Sequence, residues 1–158
     1  LATIAAGVPL AAGLRGGVGV LLGPTGGYLA AFPLSAALVS VARERYMRGG
    51  CLSGAGRGDL AALWALSCAA ALPVYLLGYA VFRYWASIDR GLAAWACRVS
   101  GALGLPCGEH AILVASVLIF LPQDFLMDHV LALLVAWRVA RALPQVCALL
   151  SGCRGGAA

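Results

Sequence analysis

A chain of 158 residues that is 63% hydrophobic and only 11% charged, with a mean hydropathy of +0.95, cannot clothe a water-facing surface of ordinary composition. That excludes a soluble globular domain and leaves a membrane protein as the default. The formal charge of +5 comes from arginine alone, with no lysine, and these arginines gather at the ends of apolar runs instead of forming a basic stripe interleaved with aromatics, so nucleic acid is not an expected partner. The six cysteines, Cys51, Cys68, Cys97, Cys107, Cys147 and Cys153, show no C-x-x-C spacing and no nearby histidine pair, which argues against a zinc site. Cys97 and Cys107 could share an oxidising side, but no spacing pairs them.

Residues 1–12 are apolar and lack a charged leader, so they read as the tail of a helix whose beginning is missing and not as a signal peptide. Leu1 falls inside an apolar segment, so the chain is expected to be a fragment. Residues 16–29 follow as a glycine-rich interruption. There Gly23, Gly26 and Gly27 permit close backbone approach, Pro24 fixes one φ at a helix start, and Thr25 and Tyr28 set hydroxyls beside exposed N–H groups. This is the pattern of a binding loop at a membrane helix end.

A first complete span is expected at residues 24–42, uncharged and long enough to cross a bilayer, with a kink at Pro33. Arg43, Arg45, Arg48 and Arg57 lie beyond its far end, which places that loop in the cytoplasm and the glycine loop on the outer face. Residues 60–82 form a second run that returns outward, bent at Pro73 and Gly78, with Trp64, Tyr75 and Tyr79 anchoring at interfaces or lining a cavity. Residues 83–110 mix charge with tryptophan and suit an amphipathic interfacial helix. Residues 111–121 are apolar but only half a span, ending at Pro122, and read as a short re-entrant or outer-face segment. The last span is residues 124–141, crossing inward to Arg138 and Arg141. Residues 144–158 are a tail.

Ionisable groups at a span are costly, so Asp124 and Asp128 at the head of the last helix are functional candidates. Asp124 as a helix N-cap is the competing structural reading. The serines lack an elbow motif, His110 and His129 lack partner spacing, and the glycine loop lacks the Gly-Lys-Ser/Thr of a phosphate cradle. An enzyme is therefore not expected.

The string Gly23, Pro24, Thr25, Gly26, Gly27, Tyr28, Leu29, extended in pattern to Phe32, resembles the signature of the BioY family, the biotin-binding S components of energy-coupling-factor (ECF) vitamin transporters. Tyr-Leu-Leu-Gly at 75–78 is also similar to that family. The resemblance covers roughly residues 1–143. It implies an all-α membrane protein, a multi-pass helical bundle of the six-helix ECF S-component type that lacks its first two helices and most of the third. It further implies biotin as ligand, no cofactor, a lipid surround in the plasma membrane, and an ECF transmembrane coupling protein with two ATPase subunits as partners.

In the family the last helix opens with a stretch resembling Pro-Gly-Asp-x-x-Lys, whose Asp and Lys take part in binding biotin. This chain reads Pro122, Gln123, Asp124, Phe125, Leu126, Met127, so the acid is kept and Met127 stands where lysine is expected. A methionine offers packing alone. Recognition of a carboxylate then passes to Arg15, to loop N–H groups, to His129 or to the missing part of the chain. For the ureido group the resemblance implies Thr25, Tyr28 and Asp124, with Tyr75 or Tyr79 packed on the ring and Gly26 and Gly27 giving close backbone approach. Two other readings stay open: an S component for a different vitamin or biotin precursor, and a non-transporting structural membrane protein.

Overall fold

In a computed structural model, residues 1–11, 13–47, 50–143 and 145 are described. The expected tail is thus outside the described residues, Gln145 excepted. Among the described residues the chain is helical, with one isolated bridge between Ala11 and Arg15. Among these residues, three helical segments are long and apolar enough to cross a membrane: Gly26–Met47, Arg57–Ile88 and Glu109–Ala142. Only 17%, 22% and 28% of their most apolar windows are buried within the chain. Side chains such as Leu38, Leu76, Leu131 and Val135 therefore face outward. Water would oppose such a surface, and lipid accepts it. The chain is an all-α integral membrane protein.

Contacts divide the chain into two compact units, Leu1–Ser35 with Ala71–Pro122, and Ala36–Ala70 with Gln123–Ala158. The first unit begins with α1 (Ala2–Ala5). The helix expected through residue 12 stops after this turn, because Gly7 takes φ +96° and Pro9 follows. After α2 (Val18–Leu22) and the glycine loop comes the first part of α3 (Gly26–Met47), which holds Pro33 within it.

The run expected at 60–82 is longer and divided. It comprises α4 (Arg57–Ala70), in the second unit, and α5 (Leu72–Ile88), in the first. Pro73 sits in the first turn of α5, where its missing N–H is not required. Along α5 the buried residues Val74, Gly78, Phe82 and Ala86 recur every fourth position and form its packed face. Helix α6 (Arg90–Ala102) is started by Asp89, whose carboxylate accepts from the N–H groups of Gly91 at 2.8 Å and Leu92 at 3.2 Å. It lays Trp95 against Phe82, with ring centroids 6.1 Å apart.

A disulfide joins Cys97 to Cys107, a pairing that no spacing rule indicated. Inside this loop the buried Ser100 donates to the Pro106 carbonyl at 3.2 Å. Closing a loop of ten-residue separation is worth about 3 kcal/mol through the chain entropy of the unfolded state. Cys97→Ser should therefore lower the thermal midpoint of the detergent-solubilised protein, and a reductant should lower the parent to the same value. Equal midpoints for parent and variant would refute the stabilising role.

The largest departure from expectation concerns residues 111–121. They are not a separate short segment, since Glu109–Ala142 is one helical run. It is built from α7 (Glu109–Leu113), a π-turn (Val114–Leu118), α8 (Leu121–Gln123), a second π-turn (Asp124–Asp128) and α9 (His129–Ala142). Pro122 does not end the run because it falls in the first turn of α8, just after the chain has turned at residues 119–120. Asp124 consequently sits inside a helical run and is not an N-cap.

In the second unit α9 packs against a 3₁₀ turn (Leu52–Gly54) and against α4. Asp59 fixes the loop before α4 by accepting from the Gly56 N–H at 2.9 Å and the Tyr46 hydroxyl at 3.1 Å.

Candidate functional site

In the first unit, Gly23 ends α2 in an extended conformation, and the Gly26 N–H returns to its carbonyl at 2.9 Å. The Trp85 indole donates to the Leu22 carbonyl at 3.1 Å and fastens the loop to α5. A Cβ on Gly26 would fall on the Leu21 carbonyl, and one on Gly27 would fall on the Leu77 carbonyl. The close approach these glycines permit is made by the chain itself. Thr25 remains exposed.

Tyr28 lies across Gly78, whose absent side chain is the space the ring occupies. Its hydroxyl donates to the Ser116 carbonyl at 2.6 Å, inside the first π-turn, where the Ile119 N–H reaches back five residues to Val114. The Tyr28 proton is thus committed within the protein, and its oxygen lone pairs are what it can offer a ligand. Tyr75 and Tyr79, one helical turn apart on α5, are half-buried.

In the second unit, the π-turn Asp124–Asp128 brings Asp124 and His129 together. The His129 N–H bonds the Asp124 carbonyl five residues back. In an α-helix, positions five apart are rotated by about 140°, and the widened turn cancels that rotation. His129 Nε2 consequently stands 3.5 Å from Asp124 Oδ2, with the two side chains 18% and 28% exposed. Its Nδ1 is 2.9 Å from Ser67 Oγ on α4. The Phe125 ring meets the imidazole edge to face at 5.8 Å. Met127, 56% exposed, lies outside this hydrogen-bonded set.

Serine, histidine and aspartate in sequence of contact suggest a nucleophile, yet the geometry opposes it. Ser67 donates to the Trp64 carbonyl at 2.7 Å, and a carbonyl can only accept, so the single hydroxyl proton is not directed at histidine. The Ser67–His129 bond is therefore made by the Nδ1–H. The expectation that His129 lacks a partner is corrected on both ring nitrogens.

The candidates thus fall into two sets. Thr25, Gly26, Gly27, Tyr28, Tyr75 and Tyr79 belong to the first unit, and Asp124, Met127 and His129 to the second. Sequence reasoning overlooked Ser67 and Ser116 and took Gly78 only as a bend. Nothing in the order of residues announces a π-turn.

Apolar spans with an aspartate–histidine contact set inside one of them define a multi-pass helical membrane protein. Residues 1–145 match the BioY family, and the chain belongs to that family. It is 34% identical over 122 residues to a probable biotin transporter BioY of Methanothermobacter thermautotrophicus, covering 77% of this chain and 65% of that protein. With the protein of the same name in Pyrococcus horikoshii it shares 36% identity over 75 residues, 48% of this chain and 36% of the relative. With that of Bacillus subtilis it shares 49% over 45 residues, 28% of this chain and 24% of the relative. The chain thus spans from about a quarter to just under two thirds of the curated relatives it matches. No solved structure matches it.

Proposed function

We propose that this chain is the biotin-capturing part of a vitamin transporter, taking biotin on the outer face of the plasma membrane and delivering it through an ATP-driven ECF module. The observation that carries the proposal is family membership over residues 1–145, together with relatives that bear the name of biotin transporter. The Cys97–Cys107 disulfide supports the orientation, since such a bond needs an oxidising side. The arginines at 43, 45 and 57 support a cytoplasmic location for the opposite loop.

Biotin presents ureido N–H donors, a ureido carbonyl, an apolar bicycle and a carboxylate. Asp124 is assigned the ureido donors, which it accepts as a charged partner. By the family pattern, the first unit's own candidates are the Tyr28 oxygen as an acceptor, Thr25 as a hydroxyl donor, and Tyr75 and Tyr79 as ring faces. His129 is the cationic candidate beside Asp124 when protonated. ATP hydrolysis is assigned to two partner subunits, reached through a transmembrane coupling protein.

The test is biotin titration into the full-length parent protein in detergent, by calorimetry and by thermal protection. Saturable binding with a midpoint that rises with biotin concentration is expected. A folded parent that biotin neither heats nor protects would overturn the proposal. Binding of another vitamin or of a biotin precursor in the same assay would then favour the altered-specificity reading, for which the exposed Met127 is the motivating departure.

A further inference from the structure

The Asp124–His129 pair exists only while the turn between them is five residues wide, and such turns are rare, occurring mostly as single turns inside α-helices. Something outside the turn must favour the wide form. Helix α4 supplies two groups three residues apart, and three-residue spacing puts them on one face. The Trp64 indole N–H donates to the Phe125 carbonyl at 2.7 Å, at the beginning of the turn. Ser67 Oγ receives the His129 Nδ1–H at 2.9 Å, just past its end. Ser67 in turn gives its own proton to the Trp64 carbonyl at 2.7 Å, so the two latch points are themselves joined.

We infer that Trp64 and Ser67 are the positioning residues of the Asp124–His129 pair, a two-point latch from α4 that holds the π-turn open and fixes the imidazole with Nδ1 protonated and Nε2 toward Asp124. The first point sets the backbone spacing and the second sets the ring. Without them the turn relaxes toward α spacing, and every residue beyond it rotates by about 100° relative to those before it. His129 then leaves the face of Asp124. Aromatic packing alone does not give this assignment, because the indole nitrogen and the hydroxyl, not the ring area, make the contacts.

Nuclear magnetic resonance of the full chain with ¹⁵N-labelled histidine and tryptophan, without any vitamin, tests the latch directly. Signals are assigned by their loss in His129→Gln and Trp64→Phe. In the parent the His129 Nδ1 should carry a proton held in a hydrogen bond, and the Trp64 indole N–H should be shifted downfield and slow to exchange. Ser67→Ala should abolish the hydrogen-bonded Nδ1–H signal and Ser67→Thr, which keeps the hydroxyl, should restore it. Trp64→Phe should change the His129 ring signals although the two side chains share no bond.

Where biotin binding is measurable, which rests on the proposed function, Trp64→Phe and Ser67→Ala should each weaken it by about tenfold, with recovery in Ser67→Thr. His129 signals that are indifferent to both substitutions, or a parent ring whose Nδ1 carries no proton, would overturn the latch. Should Trp64→Phe fail to fold, the Ser67→Ala and Ser67→Thr pair decides, since they differ in a hydroxyl at one site. An intact latch in a protein that does not bind biotin would overturn the ligand assignment and leave the latch standing.

Discussion

Gly78→Ala is expected to destabilise the folded protein by about 2 kcal/mol, although alanine is the better helix former by about 1 kcal/mol. The new methyl group would lie within the Tyr28 ring. That ring cannot step aside freely, because its hydroxyl is tied to the Ser116 carbonyl at 2.6 Å. Overpacking costs about 1–3 kcal/mol, and surrendering the hydrogen bond costs about 1 kcal/mol more. Gly101→Ala on α6 is the matched control, since a Cβ there meets nothing within 4 Å, and it should stabilise by up to about 1 kcal/mol. Thermal and denaturant unfolding in detergent would separate the two glycines by sign. Tyr28→Ala in the Gly78→Ala background removes the obstacle, so the double variant should lose much less than the sum of the singles. Strict additivity, or a harmless Gly78→Ala, would show that the ring does not occupy this space.

Asp124→Ala should weaken biotin binding by the full-length parent roughly ten- to a hundredfold while leaving it folded. A hydrogen bond to a charged group is worth about 1.5–3 kcal/mol, or roughly ten- to a hundredfold in affinity, and loss of the carboxylate also removes the partner of His129 Nε2. Asp124→Asn keeps an oxygen acceptor of the same shape and should retain part of the affinity. The two variants together separate charge from geometry. Calorimetric titration of parent, Asn and Ala forms is the measurement. An alanine variant that binds biotin like its parent would remove Asp124 from the site.

Both expectations use features that the sequence presents unequally. The sequence shows that the chain lives in lipid, because 63% hydrophobic composition and uncharged runs ended by arginine leave no other low-energy surroundings. It also shows the glycine loop at the start of α3 and the family, through contiguous strings of residues, whereas the amphipathic helix expected over 83–110 is confined to α6 (Arg90–Ala102), with 83–88 completing α5. Asp124 stands out for the same reason, since an acid in an apolar run is costly wherever the chain folds.

The partners of these residues were decided by the tertiary structure. Tyr28 and Ser116 are 88 positions apart and Ser67 and His129 are 62 apart, distances over which no periodicity operates. The Cys97–Cys107 disulfide needed the turn after α6 to bring the sulfurs together. The pairing of Asp124 with His129 was hidden even though five residues separate them, because a reading at 3.6 residues per turn places them on different faces. A π-turn changes that period locally. With Trp64 and Ser67 donating and accepting from α4, its register belongs to packing between helices and not to the order of residues within one.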